Sequence, residues 1–332
     1  MHKKGEVAIM EYRLAHAEEK EKIVAFMDAY WGSQHPILHR EEYFNYYFCT
    51  GNEINFAIAV EDEKILAVCG FTPCNKEGDE IWISLWQAAK KKNGVGLELM
   101  SKMLELTGAK RMSCNNIREE TQVFYQFLGY ETGELHQYYR LGERKEYHLA
   151  KLENTIRLPV CGDILYEKLG CFEEIAQNCG FLKGENPRKD LWYLKKRFFD
   201  FPGYQYELYG MKEDGLITAL FALRVNPVGS ETVLRLVDYW GSAENFEKIG
   251  GTIDVLLTQY DAEYCDMYCV GIPLESVKIA GFTLRERDSA TVIPNYLNPP
   301  VEFNTDYFYF TSEASGFRMF KADGDQDRPN LG

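Results

Sequence analysis

The chain has 332 residues, of which 45% are hydrophobic, and a formal net charge of -14 with a pI near 5.0. That length accommodates two ordinary domains with well-buried cores, and the composition excludes wholesale disorder. The acidic balance speaks against nucleic acid or an anionic membrane surface as the main partner, because both require a basic footprint.

Met1 to Glu6 is polar and charged, and no apolar run is long enough to span a bilayer, so neither a leader nor a membrane segment is expected. The nine cysteines are odd in number and scattered. Cys265 and Cys269 lack a matching Cys/His pair elsewhere, so no zinc site is expected and reduced thiols in the cytoplasm fit best.

In chain order, "YRLA" from Tyr12 reads as a short strand. Ile23, Val24, Phe26, Met27 and Tyr30 then fall at helical spacing. A polar, aromatic stretch follows, "SQHPILHREEYFNYYFCTGN". "INFAIAVEDEKILAVCGFTPC" alternates and turns at Glu61-Asp62-Glu63, the pattern of a hairpin. Glu80 to Ala89 is a further strand. A helix then runs to Thr107, stopped by Gly108. "KRMSCNNI" is a strand, "REETQVFYQFLGY" a helix ending near Gly129, and "GELHQYYRL" a closing strand.

Lys145 to Asn186 reads as a mostly helical, polar connector. A second block then repeats the order of the first. A helix ends near Pro202, a hairpin turns at Glu213-Asp214-Gly215, and "ETVLRLVDYWG" is a strand. A helix containing Gly250-Gly251, the strand "YCDMYCVGI" and a short helix ending at Gly281 complete it. Gly129-Tyr130 and Gly281-Phe282 are the clearest anchors of an internal duplication. The end of the chain, "KADGDQDRPNLG", reads as a surface tail. Asp323, Asp325 and Asp327 alternate as in a calcium loop, but no acidic residue closes the loop, so no metal is expected.

The chemically informative stretch is Lys91-Lys92-Asn93-Gly94-Val95-Gly96, between a strand and a helix. It does not fit a P-loop, which requires Gly-Lys-Ser/Thr. A dinucleotide fingerprint would need glycine where Leu99 stands. What remains is a loop whose glycines let backbone N–H groups approach one anion, with the helix dipole and two lysines adding positive potential.

This block resembles the GNAT acyltransferases, whose Arg/Gln-x-x-Gly-x-Gly/Ala signature after the fourth strand binds the pyrophosphate of an acyl-coenzyme A. Lys91-x-x-Gly94-x-Gly96 fits, with lysine in the first place. A second family feature, a helix ending aromatic-Tyr-x-x-x-Gly-aromatic, is present as "FYQFLGY". Where the family often has asparagine at that helix start, this chain has Arg118, with Asn115 and Asn116 just upstream. The resemblance covers roughly Glu11 to Leu141. The second block looks like a degenerate copy, with Gly250-Gly251 but no Gly-x-Gly after a basic residue, and Val277 where the first block has Tyr125.

The resemblance implies an α/β (α+β) fold of two tandem GNAT-like mixed sheets flanked by helices. The implied division is residues 8–142 as the acyl-CoA-binding domain, 143–186 as the helical connector, 187–322 as the degenerate copy and 323–332 as a tail. It implies an N-acetyltransferase with acetyl-CoA as acyl donor and a small-molecule amine as acceptor. "NPRKDLWYLKKRFF", "FPGYQYEL" and "DGDQDRPN" also resemble bacterial GNAT-like proteins linked to surface-polysaccharide synthesis, which would make the amine an amino sugar. A non-catalytic CoA-binding scaffold and a tRNA-dependent aminoacyl transferase are the alternatives, the latter awkward at this net charge.

Direct transfer needs a base for the ammonium proton, an N–H for the developing oxyanion and an acid for the leaving thiolate. On the family pattern, Trp86, Gln87, Ala88 and Ala89 line the pantetheine arm. Lys91, Lys92, Asn93, Gly94, Val95 and Gly96 hold the pyrophosphate, with Asn116 and Arg118 nearby. Tyr125 is the candidate acid, since a phenol titrating near 10 can protonate a departing thiolate whose thiol titrates near 8.5. Glu80, on the side of the strand that carries Trp82, Ser84 and Trp86, is the candidate base. His35, His39 and Asp238 are candidate acceptor-side residues, and a water-relayed proton is the remaining option. The aromatic run Tyr43, Phe44, Tyr46, Tyr47 and Phe48 reads either as a stacking surface or as a packing face.

Overall fold

The computed structural model describes residues 10–31, 34–90, 94–181 and 186–329. The first half contains β1 (Glu11–Leu14), α1 (Lys20–Trp31), α2 (Pro36–His39), α3 (Glu41–Phe48), β2 (Cys49–Thr50), β3 (Glu53–Ile54), β4 (Phe56–Glu61), β5 (Lys64–Pro73) and β6 (Glu80–Ala88). It continues through α4 (Val95–Thr107), β7 (Arg111–Ile117), α5 (Gln122–Phe127) and β8 (Glu131–Leu141). After β9 (Tyr166–Lys168) and α6 (Phe172–Asn178), the second half runs α7 (Leu191–Phe198), β10 (Glu207–Glu213), β11 (Leu216–Val228), β12 (Glu231–Trp240), α8 (Ala243–Glu247) and α9 (Gly250–Gln259). Then come β13 (Ala262–Val270), α10 (Leu274–Ile279), β14 (Thr283–Leu284), β15 (Tyr307–Thr311) and β16 (Met319–Phe320).

Alternation along β4 decides what covers the first half. Ala57 and Ala59 face α4, while Phe56, Ile58 and Val60 face α1, α2 and α3. The small alanines let α4 lie close to the sheet, and its Leu99, Met100 and Met103 are fully buried there. Each such side chain contributes roughly 1.5–3 kcal/mol on leaving water. α4 ends at Gly108, whose φ of +70° a non-glycine residue would adopt only with strain. The aromatic run on α3 is a packing face: Tyr43, Tyr46 and Tyr47 pack on Phe201 from the second half, with ring centroids 5.2 to 6.4 Å apart.

The two halves share one mixed sheet of fourteen strands, in the order β1-β4-β5-β6-β7-β15-β8-β13-β12-β11-β10-β9, with β14 and β16 at its side. The strand expected to close the first half does not reach β7. β15, near the end of the chain, pairs with β7 on one side and with the first part of β8 on the other. The rest of β8 pairs with β13 of the second half. Each half is thus completed by a strand from the other, and the backbone donors and acceptors that would form two sheet edges are paired instead.

Two stretches differ from expectation. Residues 143–186 are mainly irregular among the described residues, with one helix, α6, and the short strand β9, which extends the sheet beside β10. Pro159, Gly162, Gly170 and Gly180 interrupt this segment, and their backbone preferences oppose a continuous helix. The tail expected at the surface is interior: Asp323, Asp325 and Asp327 are 4% exposed or less. Arg197 draws it inward, donating to the carbonyls of Ala322, Gln326 and Asp327.

Candidate active site

β6 and β7 run parallel but pair only at Glu80–Arg111, Ile81–Met112 and Trp82–Ser113. Beyond Trp82 they part. β7 turns its pairing to β15, and β6 keeps β5 as its partner. The divergence begins at a bulge: Cys69 faces Trp86 and Phe71 faces Ile83, which leaves an extra residue in β6 between them. Bulges bend a strand and raise its twist, so this one re-aims the second part of β6. From Ser84 onward that strand has no strand partner on its β7 side among the described residues.

The second half repeats the device. Ala222 faces Asp238 and Leu223 faces Leu236, so β12 carries its extra residue at Val237. β12 and β13 pair in parallel only up to Leu236–Met267. There the gap is filled by the chain itself. β16 pairs with β13 at Cys269 and Val270, and the Ala322 N–H donates to the Val237 carbonyl at 2.9 Å. The first splay is open in the sense that no strand among the described residues pairs its inner edge, whereas the second is closed by β16 and Ala322.

No family model matches this sequence, and no curated protein matches it. Among solved structures, the GCN5-related N-acetyltransferase from Anabaena variabilis ATCC 29413 aligns with a TM-score of 0.53 at 14% identity, over 91% of this chain and 72% of that one. The GCN5-related N-acetyltransferase from Kribbella flavida gives 0.43 at 12% identity, over 92% and 71%. This chain carries the GNAT fold.

In that fold the open splay of the first half is the candidate site. α4 starts beside it. Gly94 caps the helix at φ +87°, and its carbonyl accepts from Glu98 N–H at 2.9 Å. The N–H groups of the first turn have no intrahelical partner. Gly96 has a further reason to be glycine: a Cβ there would lie 2.8 Å from Ala88 Cβ and 3.4 Å from the Trp86 ring. The glycine lets α4 touch the end of β6, and Val95 beside it points into the core. Lys91, Lys92 and Asn93 lie outside the described residues. Along β6, Gln87 turns its amide onto the Ala88 carbonyl, and Ala89 N–H donates to Leu66.

Tyr125 comes to the same place from α5. It is 4% exposed, stacks on Phe310 of β15 at 4.2 Å and lies 5.8 Å from the Trp86 ring. Its hydroxyl makes no hydrogen bond among the described residues. Burial, with smaller contributions from Cys114 and Cys69, pushes its pKa well above the ordinary tyrosine value, so the phenol keeps its proton at neutral pH. The Trp86 Nε1 is buried without a partner. Arg118 is exposed at the start of the turn before α5, and Asn116, at φ +66°, donates to Gln326 of the tail at 3.2 Å.

The structure does not bring the proposed base to this point. Glu80 stands at the paired end of β6, and both its oxygens are engaged: Oε1 with Arg111 at 3.1 Å, Oε2 with the Arg188 N–H at 2.8 Å. Asp238 is fully buried in an ion cluster, accepting from Lys189 at 2.6 Å and from Tyr239 N–H. Lys189 also donates to Asp323 at 3.0 Å. Burial, and a second carboxylate sharing one ammonium, raise the Asp238 pKa; the cluster ties β12 to the tail, and Asp238 Oδ2 is buried without a partner. The histidines part company. His35 caps α2, its Nδ1 accepting from Ile37 N–H at 3.3 Å. His39 faces outward to Asp28 of α1 at 2.9 Å. Burial lowers the His35 pKa, and its charged neighbours are Arg328 and Asp325.

That neighbourhood exposes a residue the sequence reading missed. The tail crosses the mouth of the open splay. Asn115 of β7 donates to the Phe320 and Asp323 carbonyls, and Gly324 packs against Trp82. Asp325 then lies beside Ser84 of β6, held by Arg328 at 2.5 Å and Gln326 at 2.8 Å. Burial raises its pKa, but the Arg328 charge and these hydrogen bonds more than offset it, so Asp325 is ionised. A signal for this was present. Arg224, Arg235 and Asp238 interrupt otherwise apolar strands, and charges in such positions need buried partners.

A cavity of about 520 Å³ lies elsewhere, at the ends of β12 and β13, lined by Thr218, Gly241, Ser242, Asn245, Gly271 and Arg318 among others. It carries no carboxylate, histidine or thiol among its described lining residues, and the strand gap beside it is the closed one.

Proposed function

We propose that this protein is an acyl-CoA-dependent N-acyltransferase that moves an acetyl group from acetyl-CoA to a small-molecule amine, with amino sugars among the acceptors to try. The supporting observation is the asymmetry of the two splays: one whose inner edge no described strand pairs, beside a glycine-entered helix and a protonated phenol, the other paired by β16 and Ala322. The donor would enter along β6, with Trp86 Nε1 and the N–H groups at the start of α4 as hydrogen-bond donors to it. The amine nitrogen forms a bond to the thioester carbonyl carbon, the carbon–sulfur bond breaks, and Tyr125 gives its proton to the leaving sulfur. On the opposite side, ionised Asp325 holds the acceptor's ammonium. The ammonium first loses a proton, through water or to Asp325, which frees the lone pair that attacks; the second proton, shed by the acylated nitrogen, returns through water to the Tyr125 phenolate, since Glu80 is committed to Arg111 and Arg188.

The second reading is a CoA-binding protein without turnover. It is favoured by one observation, that Glu80 and Asp238 are both spent on ion pairs. The two readings part in a thiol-release assay with acetyl-CoA and a panel of amines, run beside a thermal-shift titration. Stabilisation by acetyl-CoA without release of free thiol supports the binding protein. No stabilisation at millimolar acetyl-CoA defeats both.

A further inference from the structure

Lys321 is the cation this account leaves unused. It is 5% exposed, yet its amine makes no hydrogen bond or ion pair among the described residues. It lies 3.8 Å from the ring centroid of Tyr307 and 5.3 Å from that of Tyr268. An unpaired buried ammonium is costly, and two aromatic faces compensate it only in part. Burial, with the Arg235 charge adding to it, pushes the Lys321 pKa well below the ordinary lysine value, against the opposing pull of Asp327 and Asp266.

The polar groups around it are also left waiting. Asn295 donates its amide to the Tyr307 hydroxyl at 2.8 Å, but its Oδ1 is buried and unpaired. Tyr268 donates to the Thr305 carbonyl at 3.0 Å, while the Thr305 hydroxyl is buried and unpaired. Arg285, which pairs with Asp306 next to Tyr307, has a buried Nη1 with no partner, and so does Arg224 at Nε. Unsatisfied groups of Asn295, Thr305 and Arg285 therefore neighbour one tyrosine pair, where native interiors normally pair nearly all such atoms. Tyr307 is also an electrostatic neighbour of Arg328, the residue that holds Asp325 at the open splay.

We propose that Lys321 and the unpaired groups around Tyr268 and Tyr307 form a subsite for an anionic group, a carboxylate or phosphate ester, on the acceptor amine. The inference rests on the acyl-transfer reading for the role of the bound molecule, though not for the anion binding itself. An anion would give the ammonium its missing partner, and Asn295 Oδ1 and Thr305 Oγ1 would accept from hydroxyls on the same molecule. Lys321 faces Arg224, Arg235, Asp266, Asp327, Tyr268 and Tyr307; burial and the arginine charges disfavour its proton, and an arriving anion would favour it, so binding is expected to draw a proton with it.

The test compares full-length protein and Lys321→Met by titration calorimetry in two buffers of different ionisation enthalpy. The probes are inorganic phosphate and the matched pair glucosamine 6-phosphate and glucosamine, with acetyl-CoA binding measured alongside. The native protein is expected to prefer the phosphorylated amine by about tenfold or more, the scale of one charge-assisted contact, with net proton uptake near neutral pH. K321M is expected to lose both the preference and the uptake, keep acetyl-CoA affinity, and melt no lower than the native protein in phosphate-free buffer. Equal affinity for the two amines, or a preference that survives in K321M, overturns the proposal. So does a K321M protein that melts lower while the native protein binds no phosphate, which would mean a structural lysine surrounded by buried water. Phosphate preference without any acetyl-CoA binding would retain the subsite and sink the transferase reading instead.

Discussion

Replacing Gly96 by alanine places a methyl carbon 2.8 Å from Ala88 Cβ, where an ordinary carbon–carbon contact is about 3.5–4.0 Å. Neither atom is the end of a flexible side chain, so the first turn of α4 must retreat from β6 by up to about 1 Å. Overpacking of this kind costs about 1–3 kcal/mol, offset by about 1 kcal/mol from the better helix propensity of alanine. The fold should therefore survive, weakened by roughly 0–2 kcal/mol. Donor binding should suffer more, because charge-assisted hydrogen bonds to the helix entry are worth about 1.5–3 kcal/mol each and tolerate little displacement. A loss of at least about tenfold in acetyl-CoA affinity follows. The assay is thermal denaturation against acetyl-CoA concentration. At a concentration of 100 times the native Kd, stabilisation is about 2.7 kcal/mol, and a tenfold weaker variant keeps only about 1.4 kcal/mol. Gly94→Ala is the control: it meets no atom within 4 Å and carries only the strain of its φ of +87°. If Gly96→Ala shows the native ligand-induced shift, the contact between α4 and β6 does not position the donor.

Tyr125→Phe should leave stability nearly unchanged, since the hydroxyl has no hydrogen bond among the described residues, while thiol release falls about 10²- to 10⁴-fold; an unaltered rate would remove Tyr125 as the acid. Asp327→Ala strips Arg224 and Tyr206 of their buried partner, at 2.7 and 2.9 Å, and should destabilise by about 3–5 kcal/mol in urea denaturation; a cost below about 1 kcal/mol would mean the tail is not anchored as described. Glu19, beside Arg13, and Asp79, beside Arg188, are both held down at about 2, from unfolded values of 4.5 and 3.8. Depressed carboxylates stabilise above their unfolded pKa, so this contribution is full at neutral pH and is lost as pH falls from about 4.5 to about 2. The urea midpoint should drop across that window, and Glu19→Gln with Asp79→Asn should flatten the drop; an unchanged slope would refute the assignment.

Local order was legible in the sequence because it depends on near neighbours. The apolar stripe Leu99, Met100, Met103 and the stop at Gly108 place α4 without reference to the rest of the chain. The Glu61-Asp62-Glu63 and Glu213-Asp214-Gly215 turns do the same for the two hairpins, where Asp62, Glu63, Asp214 and Gly215 adopt positive φ. Trp86, Gly96 and Tyr125, assigned to the donor side, lie near one another for the same reason, since they belong to one strand–helix–strand–helix unit. The acceptor side was not. Glu80 looked free because its partners, Arg111 and Arg188, are 31 and 108 residues away.

What the sequence determined by itself is the hairpins and helices of the two blocks, their repeated order and the glycine-bearing entry to α4, since spacing and backbone preference act over a few residues. Tertiary structure alone decided which splay is open, because that depends on where β16 and Ala322 dock. It decided as well that β15 leaves its own half to pair with β7 and β8. And it turned an acidic tail, hydrophilic by composition, into buried structure, because Lys189 and Arg224 stand in the interior and require counter-charges, and Arg197 requires acceptors, that no local segment supplies.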